Sequence, residues 1–205
     1  MAERRAGVLR LGERAFGAEE LLVMGIVPAG SMERVDAAVA EGADLVEIGP
    51  GTGSFVAAVR KAYPELVIGV RTGRGEVARE ACAAGADLLS GGLSGPLLDV
   101  AAEFGVGVVG SLTEAARAVE AGVRPERVIV EGSRQVADLV ASGWPVLVSL
   151  SDSDLPGDLA RAAVFGWLGA RVFRVQRVRE TRRALRMVSA IRGDIPPAYA
   201  VRGLA

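Results

Sequence analysis

Apolar residues fall along this chain in eight short runs, each followed by a turn and then by a stretch with apolar positions every three or four residues. The runs cover residues 21–28, 45–49, 66–72, 88–92, 106–111, 127–132, 145–150 and 171–175. They are rich in β-branched residues and lack clean alternation with polar ones, as parallel strands buried on both faces do. The stretches between them, among them 32–41, 77–84, 97–104, 113–121 and 179–191, carry helical spacing. Strands alternating with helices build right-handed βαβ crossovers and a parallel sheet. Eight repeats predict that the sheet closes on itself, so the expected fold is α/β, a TIM (β/α)8 barrel.

The punctuation supports the pattern. Gly42, Gly85, Gly105, Gly122, Gly143 and Gly169 each stand just after a helical run and shortly before a strand, where a left-handed residue satisfies the last carbonyls of a helix. Ser111-Leu112-Thr113-Glu114 fits a capping box that opens the fifth helix. Ahead of the repeats, residues 8–16 read as a small hairpin turning at Gly12-Glu13, placed to plug the bottom of the barrel.

Composition narrows the choice of chemistry. The chain has 205 residues and half are apolar, enough for one barrel domain spanning 1–205, near the lower size limit for this fold. No run approaches the roughly 20 apolar residues of a membrane span, and residues 1–14 alternate charge with apolar side chains, unlike a signal peptide. A cytoplasmic protein with neither membrane nor nucleic-acid partners is expected. Cys82 is the only cysteine and is expected to be a small buried hydrophobe; Lys61, on a helical surface pattern, is the only lysine. Eight arginines crowd residues 171–192. They read as a solvated helix face, with an anion-facing stripe as the alternative.

Histidine is absent altogether, which removes the commonest general base and metal ligand at neutral pH. Catalysis would rest on carboxylates, hydroxyls, arginines and backbone amides at the C-terminal strand ends, where such barrels build their sites. The groups there are Glu47, Arg71, Thr72, Ser90, Ser111, Glu131, Ser149, Ser151, Asp152, Arg174 and Gln176. Glu47 and Glu131 could serve as acid and base, but Arg71 on the strand next to Glu47 points to a structural ion pair, and a carboxylate held ionised is a poor acid. The turn after the second strand, Gly49-Pro50-Gly51-Thr52-Gly53-Ser54, makes Gly51, Thr52, Gly53 and Ser54 anion-binding candidates. It matches neither phosphate-loop fingerprint, and a tight strand-to-helix turn explains it equally well; Gly91-Gly92-Leu93-Ser94-Gly95 carries the same ambiguity.

At residues 21–27 (LLVMGIV), 41–49 (EGADLVEIG), 75–89 (GEVAREACAAGADLL), 121–130 (AGVRPERVIV), 143–150 (GWPVLVSL) and 167–174 (WLGARVFR), and in the tail from 187 to 205, the chain resembles the dihydropteroate synthase family. The likeness is greater to the family's divergent second actinobacterial branch. The resemblance implies a TIM barrel, a pterin pocket within it and a homodimer through the late helices. It also assigns pocket positions to Glu47, Arg71, Ser90, Glu131, Ser151, Ser153, Arg174 and Gln176.

The family's chemical residues do not carry across. After MGIV the family has an Asn that helps hold Mg²⁺ and diphosphate; here Val27 is followed by Pro28-Ala29-Gly30. The family's VDT reads Val70-Arg71-Thr72, its Asn-Asp reads Ser90-Gly91, and its DPG reads Glu131-Gly132-Ser133. Its Ser-Arg-Lys becomes Ser151-Asp152-Ser153, and its Arg-x-His keeps Arg174 but ends in Gln176. Several βα loops, after the first strand and after the fifth to seventh, are short. The resemblance thus implies a pseudoenzyme of the folate-biosynthesis type, a degenerate pterin- or anion-binding protein or partner protein, without synthase activity or cofactor. The alternative is an active transferase of the folate-pathway type, condensing pterin diphosphate with p-aminobenzoate, or another enzyme of a phosphorylated ligand using Glu47, Glu131 and Arg174. Mg²⁺ is expected only in that case. A third reading makes the chain an interacting subunit through Val164, Phe165 and Trp167 of the seventh helix, although core packing accounts for at least half of these side chains.

Overall fold

The computed structural model describes residues 7–49, 53–150 and 154–195. Within them the chain forms two short antiparallel strands, β1 (Leu9–Leu11) and β2 (Arg14–Phe16), and then eight strand–helix repeats. These are β3 (Leu22–Val27) with α1 (Met32–Ala40), β4 (Leu45–Ile48) with α2 (Gly53–Ala62), β5 (Val67–Arg71) with α3 (Gly75–Ala83), and β6 (Leu88–Ser90) with α4 (Gly95–Phe104). They continue as β7 (Gly107–Gly110) with α5 (Leu112–Glu120), β8 (Val128–Glu131) with α6 (Val136–Ala141), β9 (Val146–Ser149) with α7 (Leu155–Trp167), and β10 (Val172–Val175) with α8 (Val178–Arg192). Strands β3 to β10 pair in parallel in sequence order, and β10 closes on β3. The TIM barrel expected from the repeats is the fold.

Local signals act where they were expected. All six helix-closing glycines have φ between 63° and 102°, a region that only a residue without Cβ enters freely. Ser111 and Glu114 form both halves of the capping box. The hairpin turns at Gly12-Glu13, and only Gly12 takes positive φ, as a type II′ turn requires.

Two cores result. The larger lies between the barrel wall and the helices. The smaller fills the lower barrel with Leu22, Met24, Leu45, Val67, Leu88, Val109, Ile129, Leu147 and Val172, against Leu9, Leu11 and Phe16 of the hairpin. The hairpin is therefore the floor of the barrel. Gly107 makes room for it: a Cβ there would stand 2.7 Å from Leu11 Cδ2.

The arginine-rich end departs from expectation. Arg171 and Arg174 are buried at 3% and 2% exposure. Arg171 donates to the carbonyls of Gly7, Phe16 and Gly17, which clamps the hairpin. Arg182 donates to the carbonyls of Leu21 and Gly42 and pairs with Asp44, and Arg192 reaches the Gly166 carbonyl and Glu19. These four bind backbone and acids of the fold, so neither a solvated face nor an anion stripe describes them; Arg177, Arg179, Arg183 and Arg186 are exposed, as a solvated face predicts. On α7, Phe165 packs on the core, whereas Val164 and Trp167 stay 56% and 60% exposed, so core packing accounts for fewer of these side chains than expected. With Leu168, Met187 and Ile191 they leave an apolar face across α7 and α8.

Candidate functional site

Side chains on a strand alternate between faces, so residues two apart share the barrel interior. One step above the apolar floor this rule puts Glu47 over Leu45, Ser90 over Leu88, Glu131 over Ile129, Ser149 over Leu147 and Arg174 over Val172. Five polar side chains from five strands thereby meet at the C-terminal mouth.

Arg174 is the hub. Its Nη1 donates to Glu131 Oε1 at 2.7 Å and to Ser149 Oγ at 3.1 Å, and its Nη2 lies 2.9 Å from Glu47 Oε1. Ser90 Oγ donates to Glu47 Oε1 at 2.6 Å, and Ser149 Oγ donates to Glu131 Oε1 at 3.0 Å. The side chains of Arg174 and Glu47 are 2% and 3% exposed, but that of Glu131 is 38% exposed. Burying charge is costly unless it is paired and hydrogen-bonded, and this mutual arrangement is what keeps three ionic groups in the barrel. The expected Arg71–Glu47 pair forms, but at 3.9 Å from a guanidinium that is half exposed. Arg174, two strands away across β3, is the nearer partner.

Other anticipated groups lie apart. Thr72 Oγ1 accepts from the Arg74 amide within its own turn. Gln176 is exposed beyond the end of β10, with no described bond to the network. Gly53 and Ser54 open α2 in the helix layer, where a Cβ on Gly53 would come 2.9 Å from the Glu80 carbonyl oxygen of α3; the mouth does not include them. Gly51, Thr52, Ser151 and Ser153 lie outside the described residues.

A hollow of about 620 Å³ adjoins the network, lined by Arg71, Thr72, Gly91, Gly92, Ser111 and Glu131 among others. Its wall is fixed by Glu114, whose carboxylate accepts from the Ser111 amide at 2.7 Å and the Leu93 amide at 3.0 Å. The Ser111 amide hydrogen bond, above all, holds the Glu114 carboxyl below the usual carboxylate range. A larger hollow, about 1180 Å³, lies at the opposite end of the barrel, by Asp87 and Arg60. There Arg60 is engaged by Asp87 at 2.5 Å and by the carbonyls of Pro64, Leu66 and Gly85, so the hollow offers no free cation from that residue.

The chemistry available at the mouth is narrow. Both strand-end carboxylates converge on one guanidinium and are engaged by it. Among the described residues no three acidic, Cys or His groups gather to hold a metal ion. Among the described residues no donor set for Mg²⁺, which an active synthase would use, gathers at the mouth, where Glu47 Oε1 and Glu131 Oε1 are turned onto Arg174. Cys82 is buried, and burial pushes its thiol up to about 12, far from a reactive thiolate.

No protein-family model matches the chain. Curated proteins named "Inactive dihydropteroate synthase 2" do: that of Mycobacterium bovis is 36% identical over 254 aligned positions, covering 86% of this chain and 80% of the relative. That of Mycobacterium leprae is 37% identical, covering 82% and 84%. The first alignment is longer than the chain itself, so the relative carries segments without counterpart here. Among solved structures, Mycobacterium tuberculosis Rv1207 superposes with a TM-score of 0.84 at 37% identity, over 92% of this chain and 99% of that one. The dihydropteroate synthase of Thermus thermophilus, in complex with 4-aminobenzoate, gives 0.80 at 25% identity over 90% and 99%. With more than a third of its residues shared across most of both lengths, and with the same barrel, the chain belongs to the dihydropteroate synthase family.

Proposed function

We propose that this barrel does not carry out the synthase reaction and acts as a binding or partner protein. The observation that carries the reading is Arg174 drawing both Glu47 and Glu131 onto itself across the mouth. A reaction that releases diphosphate needs free positive charge and a cation site; here the one buried guanidinium of the mouth is consumed by two carboxylates. No histidine is present to act as base, and the only lysine, Lys61, is exposed on α2. The name borne by the mycobacterial relatives agrees with this. The same geometry disfavours Glu47 and Glu131 as an acid–base pair for another phosphorylated ligand. A cytoplasmic location belongs to the same reading.

The test is direct. Purified chain given 6-hydroxymethyl-7,8-dihydropterin diphosphate, 4-aminobenzoate and Mg²⁺ is expected to form no pteroate above a protein-free blank; turnover would overturn the reading. Thermal unfolding with the pterin diphosphate then separates a ligand-binding barrel from one kept for its surface. A ligand at 100 times its Kd stabilises by about 2.7 kcal/mol, so retained pterin binding would be visible.

A second element concerns assembly. Val164, Trp167, Leu168, Met187 and Ile191, all between 42% and 65% exposed, form one apolar face on the adjacent helices α7 and α8. A second copy of the chain would bury that face by an isologous contact. Light scattering is expected to give a dimer at micromolar concentration and a monomer for Trp167→Glu; a monomeric parent chain would refute this.

A further inference from the structure

We propose that the large hollow beneath the barrel floor docks an extended, dipolar peptide segment of a partner protein, with a basic side chain held at its β5 end and an acidic one at its β8 end. The inference deepens the reading of the chain as a partner protein and rests on it. It sets the contact at the end of the barrel away from the polar mouth.

The hollow, about 1180 Å³, lies between the turn of the hairpin and the C-terminal ends of α2, α3, α4 and α5. Barrels of this fold build their reaction sites at the other end. The volume exceeds the roughly 300–1,000 Å³ of small-molecule pockets, which favours a stretch of chain as the occupant.

The charges around the hollow divide into those already matched and those left over. Arg60 is held by Asp87 at 2.5 Å, and Arg79, beside the Phe104 ring, pairs with Glu103 at 2.5 Å. Arg14 bonds the Asp44 carbonyl and lies over the Phe16 ring. Left over are Glu13 in the hairpin turn, Glu65 just ahead of β5, and Arg124 in the connection from α5 to β8. All three line the hollow, are exposed and have no described side-chain partner. Arg127 joins Arg124, because its one described bond is to the Gly105 carbonyl and not to an acid.

Strand order separates the two signs. Strands β5, β6, β7 and β8 are consecutive in the barrel. Neighbouring strands lie about 4.8 Å apart, so the step from Glu65 to Arg124 and Arg127 is about 14 Å along the wall. Glu13 belongs to the acidic side: its neighbour Gly12 abuts Asp87 just ahead of β6, where a Cβ on Gly12 would stand 2.5 Å from Asp87 Oδ1. An extended chain advances about 3.3 Å per residue, so basic and acidic side chains four positions apart meet both ends. Between those ends Phe104, 37% exposed, offers the middle of the segment an apolar contact. A segment of one sign would meet like charge at one end, which is how such an arrangement discriminates.

The probes are three end-capped pentapeptides, Lys-Ala-Leu-Ala-Glu, Lys-Ala-Leu-Ala-Lys and Glu-Ala-Leu-Ala-Glu. Each is titrated calorimetrically into the full chain at low salt, where exposed charges are least screened. The dipolar peptide is expected to bind at least about fivefold more tightly than either of the others. Arg124→Glu, which cancels the positive end, is expected to erase its advantage over the doubly basic peptide. Glu65→Lys, which cancels the negative end, is expected to erase its advantage over the doubly acidic one. Neither substitution removes a described side-chain contact, so both variants are expected to unfold at the parent temperature. Equal affinities in the parent, no saturable binding by any peptide, or a preference that survives both substitutions would overturn the proposal while leaving the inactive-barrel reading intact. Pteroate formation by the parent would overturn that reading and leave the peptide preference standing.

Discussion

The two ends of the barrel solve the same problem, a buried arginine on β10 or just ahead of it, in opposite ways. At the floor, Arg171 is surrounded by neutral partners, the carbonyls of Gly7, Phe16 and Gly17. At the mouth, three residues on, Arg174 is surrounded by carboxylates and a hydroxyl. Carbonyl dipoles seat a guanidinium without adding charge, which suits a permanent clamp; burial lowers the Arg171 pKa somewhat but leaves the group charged. Carboxylates make the mouth a balance of full charges, in which removing any one member exposes the others. A clamp and a site differ in what they leave uncompensated.

That contrast can be tested by substitution, beginning where the effect is largest. Arg174→Met strands Glu47 in the barrel without its buried guanidinium and is expected to cost about 3–5 kcal/mol in urea unfolding; a cost under about 1 kcal/mol would mean that the mouth is not the charge-balanced unit described. Leu11→Ala removes the floor contact over Gly107 and should cost about 2–5 kcal/mol. Arg171→Met loses charge-assisted bonds to carbonyls that can still reach water once the hairpin loosens, so about 1.5–3 kcal/mol is expected, with hydrogen exchange faster in residues 9–16 than in the barrel strands. Arg71→Ala, half exposed and 3.9 Å from Glu47, should change stability by no more than about 0.5–1 kcal/mol.

The smallest effect is in pH. Glu114 near the mouth has its folded pKa depressed, so its stabilisation is present above the unfolded carboxylate value and lost as pH falls through the folded one. Asp87 near the floor has its pKa raised, chiefly by burial, so its ionisation costs stability as pH rises through the carboxylate range. Glu114→Gln is expected to flatten the acid-side loss seen in urea midpoints, and Asp87→Asn to flatten the opposing slope. If both variants shift the profile in one direction, the assignment of opposite roles is wrong.

The sequence showed the floor more clearly than the mouth. Capping glycines, the Ser111–Glu114 box and the Gly12-Glu13 turn act within a few residues of themselves, so their meaning is local and readable. The polar layer depends on which strands face each other across a closed barrel. Glu47 pairs in register with Gly69, not with Arg71, and Arg71 stands two residues further along the same face, at the edge of the site. Arg174 reaches Glu131 across β9, but it reaches Glu47 only because β10 closes on β3. Counting inward positions, one step past each apolar floor residue, would have gathered Glu47, Ser90, Glu131, Ser149 and Arg174 from the sequence; nearness along it did not. The arginine cluster misled for a related reason, since a buried guanidinium with carbonyl partners looks, in sequence, like any surface charge.

The clamp on the hairpin also sets an order of events during synthesis. Arg171 grips a carbonyl 155 residues earlier in the chain. A ribosome adding about 5–20 residues per second takes roughly 8–30 s to cover that separation. Through that interval Leu9, Leu11 and Phe16 are already made and have no finished barrel to enter. Until the last strand is complete the nascent chain carries these three apolar side chains without their cover, which makes the hairpin a natural hold for a chaperone and a place where a slow ribosome would be felt.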